Sequence, residues 1–129
     1  CVNGKVVALQ QDNPNNEPDK GFSHAEKLQA YITQVLTQGN ISKNDLDAIA
    51  VSKGPGSYTG LRIGVSTEKG LCYALDIPLI AISTLSSLAR QVTGSLVVPM
   101  LDARRMEVYS AVFFSEMEQI REIQAQIIT

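Results

Sequence analysis

The sequence predicts an α/β fold in which the middle strands run parallel and helices pack on the sheet. Segments with apolar residues at helical spacing alternate with short continuous apolar runs typical of buried strands. The resulting order is hairpin, helix, strand, helix, strand, helix, strand. A glycine-rich turn follows the first buried run and opens the next helix. The length of 129 residues suits about one domain rather than two with separate cores.

Composition narrows the class of protein. With 44% hydrophobic and 19% charged residues, the chain is too apolar for disorder, and it contains no apolar run of membrane-spanning length. The net charge is -2 and the longest basic cluster is Arg104-Arg105, which argues against a self-sufficient nucleic-acid binder. Two cysteines and one histidine exclude a disulfide framework and helical zinc motifs with two histidines. We therefore expect a cytoplasmic protein without a metal site.

The first element is a hairpin turn at Asn3-Gly4, a pair typical of type I′ turns. Lys5 to Gln11 supplies one strand after the turn, but only two residues precede it. We therefore expect at least one further strand upstream of this sequence. The apolar end at Ile127-Ile128 is equally abrupt, and we interpret the sequence as a fragment.

The next segments form a loop and the first helix. Asp12 to Gly21 is polar and rich in Pro and Asn. Ser23 to Glu26 forms a capping box, and apolar residues at helical spacing continue to Gln38, before Gly39. His24 lies in the first turn, where we interpret it as a solvated residue rather than a catalytic one. Ile41 to Asp47 is a connector with one helical turn capped by Ser42.

The remaining chain alternates short strands with helices. The Gly-rich turn opens a helix from about Thr59 to Leu75, and Ser83 caps a helix that continues to about Val92. The tail from Glu116 fits a strand or a helix equally well. The predicted strands are Ala48–Ser52, Leu79–Ile82, Leu96–Met100 and Glu107–Phe114, the last with Val108, Ser110, Val112 and Phe114 on one face.

The glycine turn after the first buried strand is the most informative stretch. Pro55-Gly56 suits a type II turn with a positive φ at Gly56, and Ser57 or Thr59 can cap the helix. Backbone N–H groups at such a helix start can hold an anion. The spacing fails both the G-x-G-x-x-G and the P-loop patterns. Nucleotide binding and simple strand-to-helix geometry both remain open for this turn.

The helix after this turn has more apolar surface than one sheet covers. Projected at about 100° per residue, its polar residues share a narrow sector. That polar sector comprises Arg62, Ser66, Lys69 and Tyr73. The rest of the helix surface forms two ridges of apolar or small residues. One ridge comprises Gly60, Gly64, Thr67, Leu71 and Ala74, and the other comprises Leu61, Val65 and Cys72 and is interrupted by Glu68. The second ridge requires either burial within the domain or a protein partner.

Several motifs together resemble the TsaB (YeaZ) family. The match runs from Asn3 to about Phe114. It rests on Gly54-Pro55-Gly56-Ser57-Tyr58-Thr59-Gly60-Leu61-Arg62-Ile63-Gly64-Val65, Lys69-Gly70-Leu71, Ile77-Pro78-Leu79 and the segment Asp102-Ala103-Arg104-Arg105-x-Glu107-Val108-Tyr109.

The resemblance implies a ribonuclease-H-like lobe of the actin, sugar kinase and Hsp70 ATPase (ASKHA) superfamily, with a mixed sheet covered by helices. Residues 1–106 would be the first lobe, lacking its first strands, and residues 107–129 the start of a second lobe. It implies an accessory subunit in the synthesis of threonylcarbamoyladenosine in tRNA, with no catalytic residue, cofactor or metal of its own. The expected partners are TsaD and TsaE homologues, or a second copy when TsaD is absent. Contact with tRNA would be indirect, and no membrane is involved.

The same resemblance assigns site residues. The helices from Ser23 to Gln38 and from Thr59 to Leu75 correspond to the pair that family members use for docking. The expected partner-helix interface comprises Tyr31, Gly60, Gly64, Thr67, Leu71 and Tyr73. The glycine-turn motif comprises Gly54, Pro55, Gly56, Ser57, Tyr58, Thr59, Gly60 and Arg62.

Two enzymatic alternatives remain beside the accessory role. The first is an ATPase or phosphotransferase with phosphate near the turn, for which Asp102 is the one Mg²⁺-ligand candidate placed just after a strand. The second is a glycoprotease-like peptidase, which we disfavour because Ser57 has no histidine near it in sequence. For Asp102 itself we favour a local role, capping the turn after its strand and pairing with an arginine.

Overall fold

A computed structural model describes residues 1–11, 24–114 and 118–128. Three helices, one 3₁₀ turn and six strands lie in these ranges. They are α1 (His24–Gln38), the 3₁₀ turn Lys43–Asp45, β1 (Ile49–Ser52), α2 (Tyr58–Leu75), β2 (Leu79–Ile82), α3 (Thr84–Ala89), β3 (Leu96–Val97), β4 (Met100–Arg104), β5 (Glu107–Phe114) and β6 (Gln119–Ile127). The predicted loop Asp12–Gly21 and the cap Ser23 lie outside the described residues.

The chain divides into two compact units. The first contains Cys1–Ile49 and Ser66–Leu79, and the second contains Ala50–Val65 and Ile80–Thr129. The expected lobe boundary after residue 106 falls at the turn that joins β4 to β5, and both strands belong to the second unit. The division into two lobes at this point stays a prediction.

In the first unit the N-terminal turn forms, but the strand expected after it does not. Val2 and Lys5 exchange two backbone hydrogen bonds, and Asn3 and Gly4 both have the positive φ of a type I′ turn. Lys5 to Gln11 is not a strand, because this stretch has no neighbouring strand to pair with among the described residues. Gln10 instead donates a side-chain hydrogen bond to Gln34 of α1.

Local chemistry ends the helices of the first unit. Asn40 takes a left-handed φ of 51° just after α1, and Ile41 N–H donates to the Leu36 carbonyl. Asp76 has a φ of 53° after α2, where Ile77 N–H donates to the Cys72 carbonyl. Ser42 caps the 3₁₀ turn with a complete capping box, as predicted.

β1 and β2 are parallel, as the α/β order predicts. The Ile49 N–H donates to Pro78 and the Lys53 N–H donates to Ile82, so the two bonds step in the same direction along both strands. This pair forms a sheet of its own, whereas β3, β4, β5 and β6 form an antiparallel sheet. The single mixed sheet that we expected is therefore absent from the described residues. β1 and β2 are parallel because a crossover helix, α2, joins them, whereas a short turn such as the one between β4 and β5 makes neighbouring strands antiparallel.

The predicted strand Leu96–Met100 is two strands. β3 and β4 continue one register along β5, from Leu96 opposite Phe114 to Met100 opposite Ser110. The strand is interrupted at Val98 and Pro99, because proline has no N–H to donate to the ladder. β6 lies on the other side of β5, so the ambiguous tail forms a strand.

The core of the second unit lies between α3 and β5. Leu85, Ala89, Ala111 and Phe113 are buried together, with Tyr109 packed against them. α3 ends at Ala89, three residues before the predicted Val92. The following residues form 3₁₀-type hydrogen bonds instead, from Gln91 N–H to the Leu88 carbonyl and from Val92 N–H to the Ala89 carbonyl. On the opposite face of β5, Ser110 is fully buried; it accepts a hydrogen bond from Arg121 and donates one to Gln126.

Candidate functional site: a glycine turn and its helix

Gly54 lies two residues after the end of β1, directly before the bend at Pro55 and Gly56. It is buried and has a φ of 99°, a region that residues with a side chain rarely adopt. Its carbonyl accepts a hydrogen bond of 3.0 Å from Thr84 N–H at the start of α3. A Cβ at this position would lie 3.1 Å from Cδ1 of Leu61. The positive φ is therefore the main reason for glycine at position 54, and the leucine contact adds a smaller steric cost.

The type II turn predicted at Pro55-Gly56 is wrong. The positive φ belongs to Gly54, and Gly56 has none. A Cβ on Gly56 would meet only Leu61, at 3.9 Å, which is an ordinary contact. The Gly54–Pro55 peptide bond is cis. Because the positive φ is at Gly54, the position that requires glycine lies two residues earlier than expected, although the chain does bend at Pro55 and Gly56.

Ser57 caps α2, which settles the choice between Ser57 and Thr59. Its hydroxyl accepts from Gly60 N–H at 3.4 Å, and its carbonyl accepts the first helical bond from Leu61 N–H at 2.8 Å. α2 consequently begins at Tyr58, one residue before the predicted start. The Arg62 guanidinium lies 5.7 Å from the centre of the exposed Tyr58 ring, within cation–π distance.

A pair of hydroxyls beside this turn was missed by the sequence reasoning. The hydroxyl oxygens of Ser52 and Thr84 lie 2.6 Å apart. Ser52 ends β1, and Thr84 follows β2 after one residue. The carboxyl ends of parallel strands are the usual place for ligands in such sheets, so a search for polar residues at strand ends could have found the pair.

The two apolar ridges of α2 differ in burial, and only the ridge with Cys72 contains a fully buried residue. Cys72 is buried, and its thiol donates to the Pro78 carbonyl at 3.7 Å, while Leu61 and Val65 on the same ridge are partly buried. On the other ridge Gly60 and Ala74 are exposed, and Gly64, Thr67 and Leu71 are partly buried. The polar sector is exposed, with Tyr73 at 91%. The helix therefore keeps an uncovered side within the described structure.

The glycines of α2 have few neighbours, Gly64 on the uncovered side and Gly70 on another side of the helix. A Cβ built on Gly64 meets nothing within 4 Å, and the same holds for Gly70. A Cβ on Gly60 meets only the Ser57 side chain, at 3.6 Å. Contacts within the described residues therefore do not explain glycine at position 64.

Glu68 lies between the two ridges and is the only acidic residue of α2. Its Oε2 atom is buried and has no hydrogen-bond partner among the described residues. Burial raises the pKa of this carboxyl above its usual value. The sequence marks Glu68 as an interruption of an apolar ridge, and the structure adds that its buried Oε2 atom has no partner among the residues it describes.

Tyr31 is the remaining expected interface residue, and it lies on α1. It is partly buried, as are Leu28, Ile32 and Val35 on the same helix, and none of residues 24–38 is fully buried. The expected interface residues thus occupy two amphipathic helices, five of them on α2.

The segment Asp102–Arg105 forms the end of a hairpin rather than a loop after a strand. β4 continues through it to Arg104, and Asp102 Oδ1 accepts from Arg104 N–H at 2.7 Å. Arg104, Arg105 and Met106 all have positive φ values, from 54° to 67°. The capping role predicted for Asp102 is confirmed, although it contacts the arginine backbone and not the guanidinium.

The described residues offer neither a metal-binding cluster nor a membrane-spanning helix. Within residues 1–11, 24–114 and 118–128, no three His, Cys, Asp or Glu side chains are grouped closely enough to share a metal ion. None of the described helices combines the length and the hydropathy that crossing a membrane requires.

Comparisons with known proteins agree on one family. A family model described as TsaD, tRNA N6-adenosine threonylcarbamoyltransferase, matches residues 20–128. The chain is 42% identical over 94 residues to the Bacillus subtilis tRNA threonylcarbamoyladenosine biosynthesis protein TsaB, covering 70% of this chain and 41% of that protein. The Escherichia coli protein of the same name is 36% identical over 92 residues, covering 68% and 40%.

A solved structure shares the fold. The crystal structure of a Pseudomonas aeruginosa protein with similarity to peptidase YeaZ superposes with a TM-score of 0.72 at 29% identity, covering 81% of this chain and 52% of that one. The match therefore spans about two-fifths of the length of the curated relatives and about half of the solved structure.

Proposed function

Because this chain belongs to the TsaB (YeaZ) family, we propose that it is a non-catalytic subunit that binds a threonylcarbamoyltransferase of the TsaD type and supports threonylcarbamoyl transfer to adenosine in tRNA. The names of its relatives, which describe threonylcarbamoyladenosine biosynthesis, support this role. A TsaE homologue is a further partner in the proposal, and a second copy of the chain replaces TsaD when TsaD is absent. Contact with tRNA is indirect.

The uncovered side of α2 carries this proposal. Its docking face on α2 comprises Gly60, Gly64, Thr67 and Leu71, with Tyr73 as a rim contact, and Tyr31 of α1 is a separate proposed contact. Small residues at four-residue spacing let another backbone approach closely, and the open space at Gly64 is the clearest sign of such an approach. An exposed tyrosine is typical of protein interfaces, where its ring supplies contact area and its hydroxyl a hydrogen bond.

Size-exclusion chromatography of the chain with its cognate threonylcarbamoyltransferase tests this role. Replacing Gly64 with leucine fills the docking face, so we expect the complex to be lost or strongly weakened. Gly70 is the matched control, because its Cβ also meets open space and it lies on another side of the helix. Leucine favours a helix over glycine by about 1 kcal/mol, so neither Gly64→Leu nor the control Gly70→Leu should unfold the protein. An unchanged complex with Gly64→Leu would contradict the proposal.

A nucleotide-dependent ATPase or phosphotransferase is the second candidate function. It is favoured by the position of the glycine turn and the Ser52–Thr84 hydroxyl pair at the carboxyl ends of two parallel strands. Calorimetry with ATP and Mg²⁺ tests it, since binding in the micromolar range would support an enzyme. The peptidase alternative gains no support from Ser57, whose hydroxyl accepts the capping bond from Gly60.

A further inference from the structure

Glu68 carries a buried carboxylate oxygen, Oε2, to which no residue within 1–11, 24–114 and 118–128 donates a hydrogen bond. Desolvation by burial is the cause of its raised pKa. At about 100° per residue, Arg62 and Lys69 of the same helix lie roughly 100° or more around the axis from Glu68. The cations of α2 therefore do not neutralise it.

Glu68 borders the proposed docking face. It follows Gly64 by four residues, one helical turn, and neighbours Thr67 and Leu71 on the same half of the helix. A protein that docks on Thr67 and Leu71 removes water from the part of the carboxylate that is still solvated. Complete burial of an unpaired carboxylate is strongly unfavourable, so the bound state requires either a cationic partner or a proton.

We propose that the partner protein places a lysine or arginine side chain against the Glu68 carboxylate, so that the ion pair exists only in the complex. This inference rests on the proposed function. The open space over Gly64 gives such a side chain a route to the carboxylate from the neighbouring turn. The pair also supplies specificity, because a partner without the cation would leave the carboxylate buried and unpaired.

The sign of proton exchange on binding distinguishes the cation from the proton. A cation lowers the pKa of Glu68 in the complex, so protons are released on binding. Burial without a cation raises that pKa further, so protons are taken up. Isothermal titration calorimetry between about pH 5 and pH 6, near the ordinary range for carboxyl groups, measures this exchange when repeated in two buffers of different ionisation enthalpy.

The experiment titrates the cognate threonylcarbamoyltransferase into the wild type and into Glu68→Gln. We expect the wild type to release more protons than the variant, and the variant to bind about tenfold to a hundredfold more weakly at neutral pH, the range for a hydrogen bond to a charged group. Asp76→Asn, at the exposed end of α2, is the control and should match the wild type. Proton uptake, or equal affinity and exchange in Glu68→Gln, would overturn the inference while leaving docking intact. Failure of the wild type to bind would overturn the proposed function together with this inference.

Discussion

Replacing Gly54 with alanine tests whether the glycine turn is required for folding. The alanine must adopt a φ of 99°, which costs about 1 to 3 kcal/mol for a residue with a side chain. Its Cβ would also lie 3.1 Å from Leu61 Cδ1, a contact that a small shift of the flexible leucine relieves. We therefore expect Gly54→Ala to lower the free energy of unfolding by about 2 kcal/mol, about thirtyfold in the folding equilibrium.

Gly56→Ala is the matched control, only two residues away. Position 56 has no positive φ and its nearest contact is 3.9 Å, so alanine should be neutral or stabilise by about 0.4 to 1 kcal/mol through the unfolded state. Urea denaturation at equilibrium, followed by circular dichroism, gives both values. Equal effects of the two substitutions, or a larger loss at Gly56, would refute this account of the turn.

Three further predictions concern stability. Since the raised pKa means that the folded state holds the Glu68 proton more tightly than the unfolded state, Glu68→Gln should raise the Tm at pH 7, and the gain should shrink as the pH falls toward 4.5. Leu85→Ala should cost about 2 to 5 kcal/mol in urea denaturation because Leu85 is fully buried, whereas Leu96→Ala, at a position 54% exposed, should cost far less. Asp102→Ala should cost about 1 kcal/mol by losing the bond to Arg104 N–H, whereas Asp102→Asn, which keeps an acceptor, should lose less in the same assay.

Elements fixed by local chemistry were predictable from the sequence. Ser42 and Ser83 cap the turns expected of them because the capping hydroxyl and the N–H that it accepts are at most three residues apart. β2 and β5 have the predicted bounds, since an apolar run with turn residues on both sides defines each strand.

Elements that depend on distant pairing were not predictable in the same way. Lys5 to Gln11 has the composition of a strand, but a strand requires a neighbour. The division of β3 from β4 depends on Pro99 facing a ladder on β5, and the register along β5 is not visible in the sequence.

The candidate site was predictable in part. A cap at Ser57 or Thr59 and the two ridges of α2 follow from spacing, whereas the choice of Ser57 and the burial of Cys72 are seen only in the structure. The positive φ at Gly54 could not be separated from one at Gly56, because both positions carry glycine. The burial of Oε2 in Glu68 depends on tertiary packing and leaves no mark in the sequence.

We propose that the side of α2 that carries Gly64 is a docking surface for another protein. An experimentally determined structure of the chain bound to its cognate threonylcarbamoyltransferase tests it most directly. We expect partner atoms in van der Waals contact with Gly64, Thr67 and Leu71. We also expect a lysine or arginine side chain of the partner beside Glu68. A complex in which the partner leaves Gly64 in contact with solvent and binds elsewhere on the chain would contradict it.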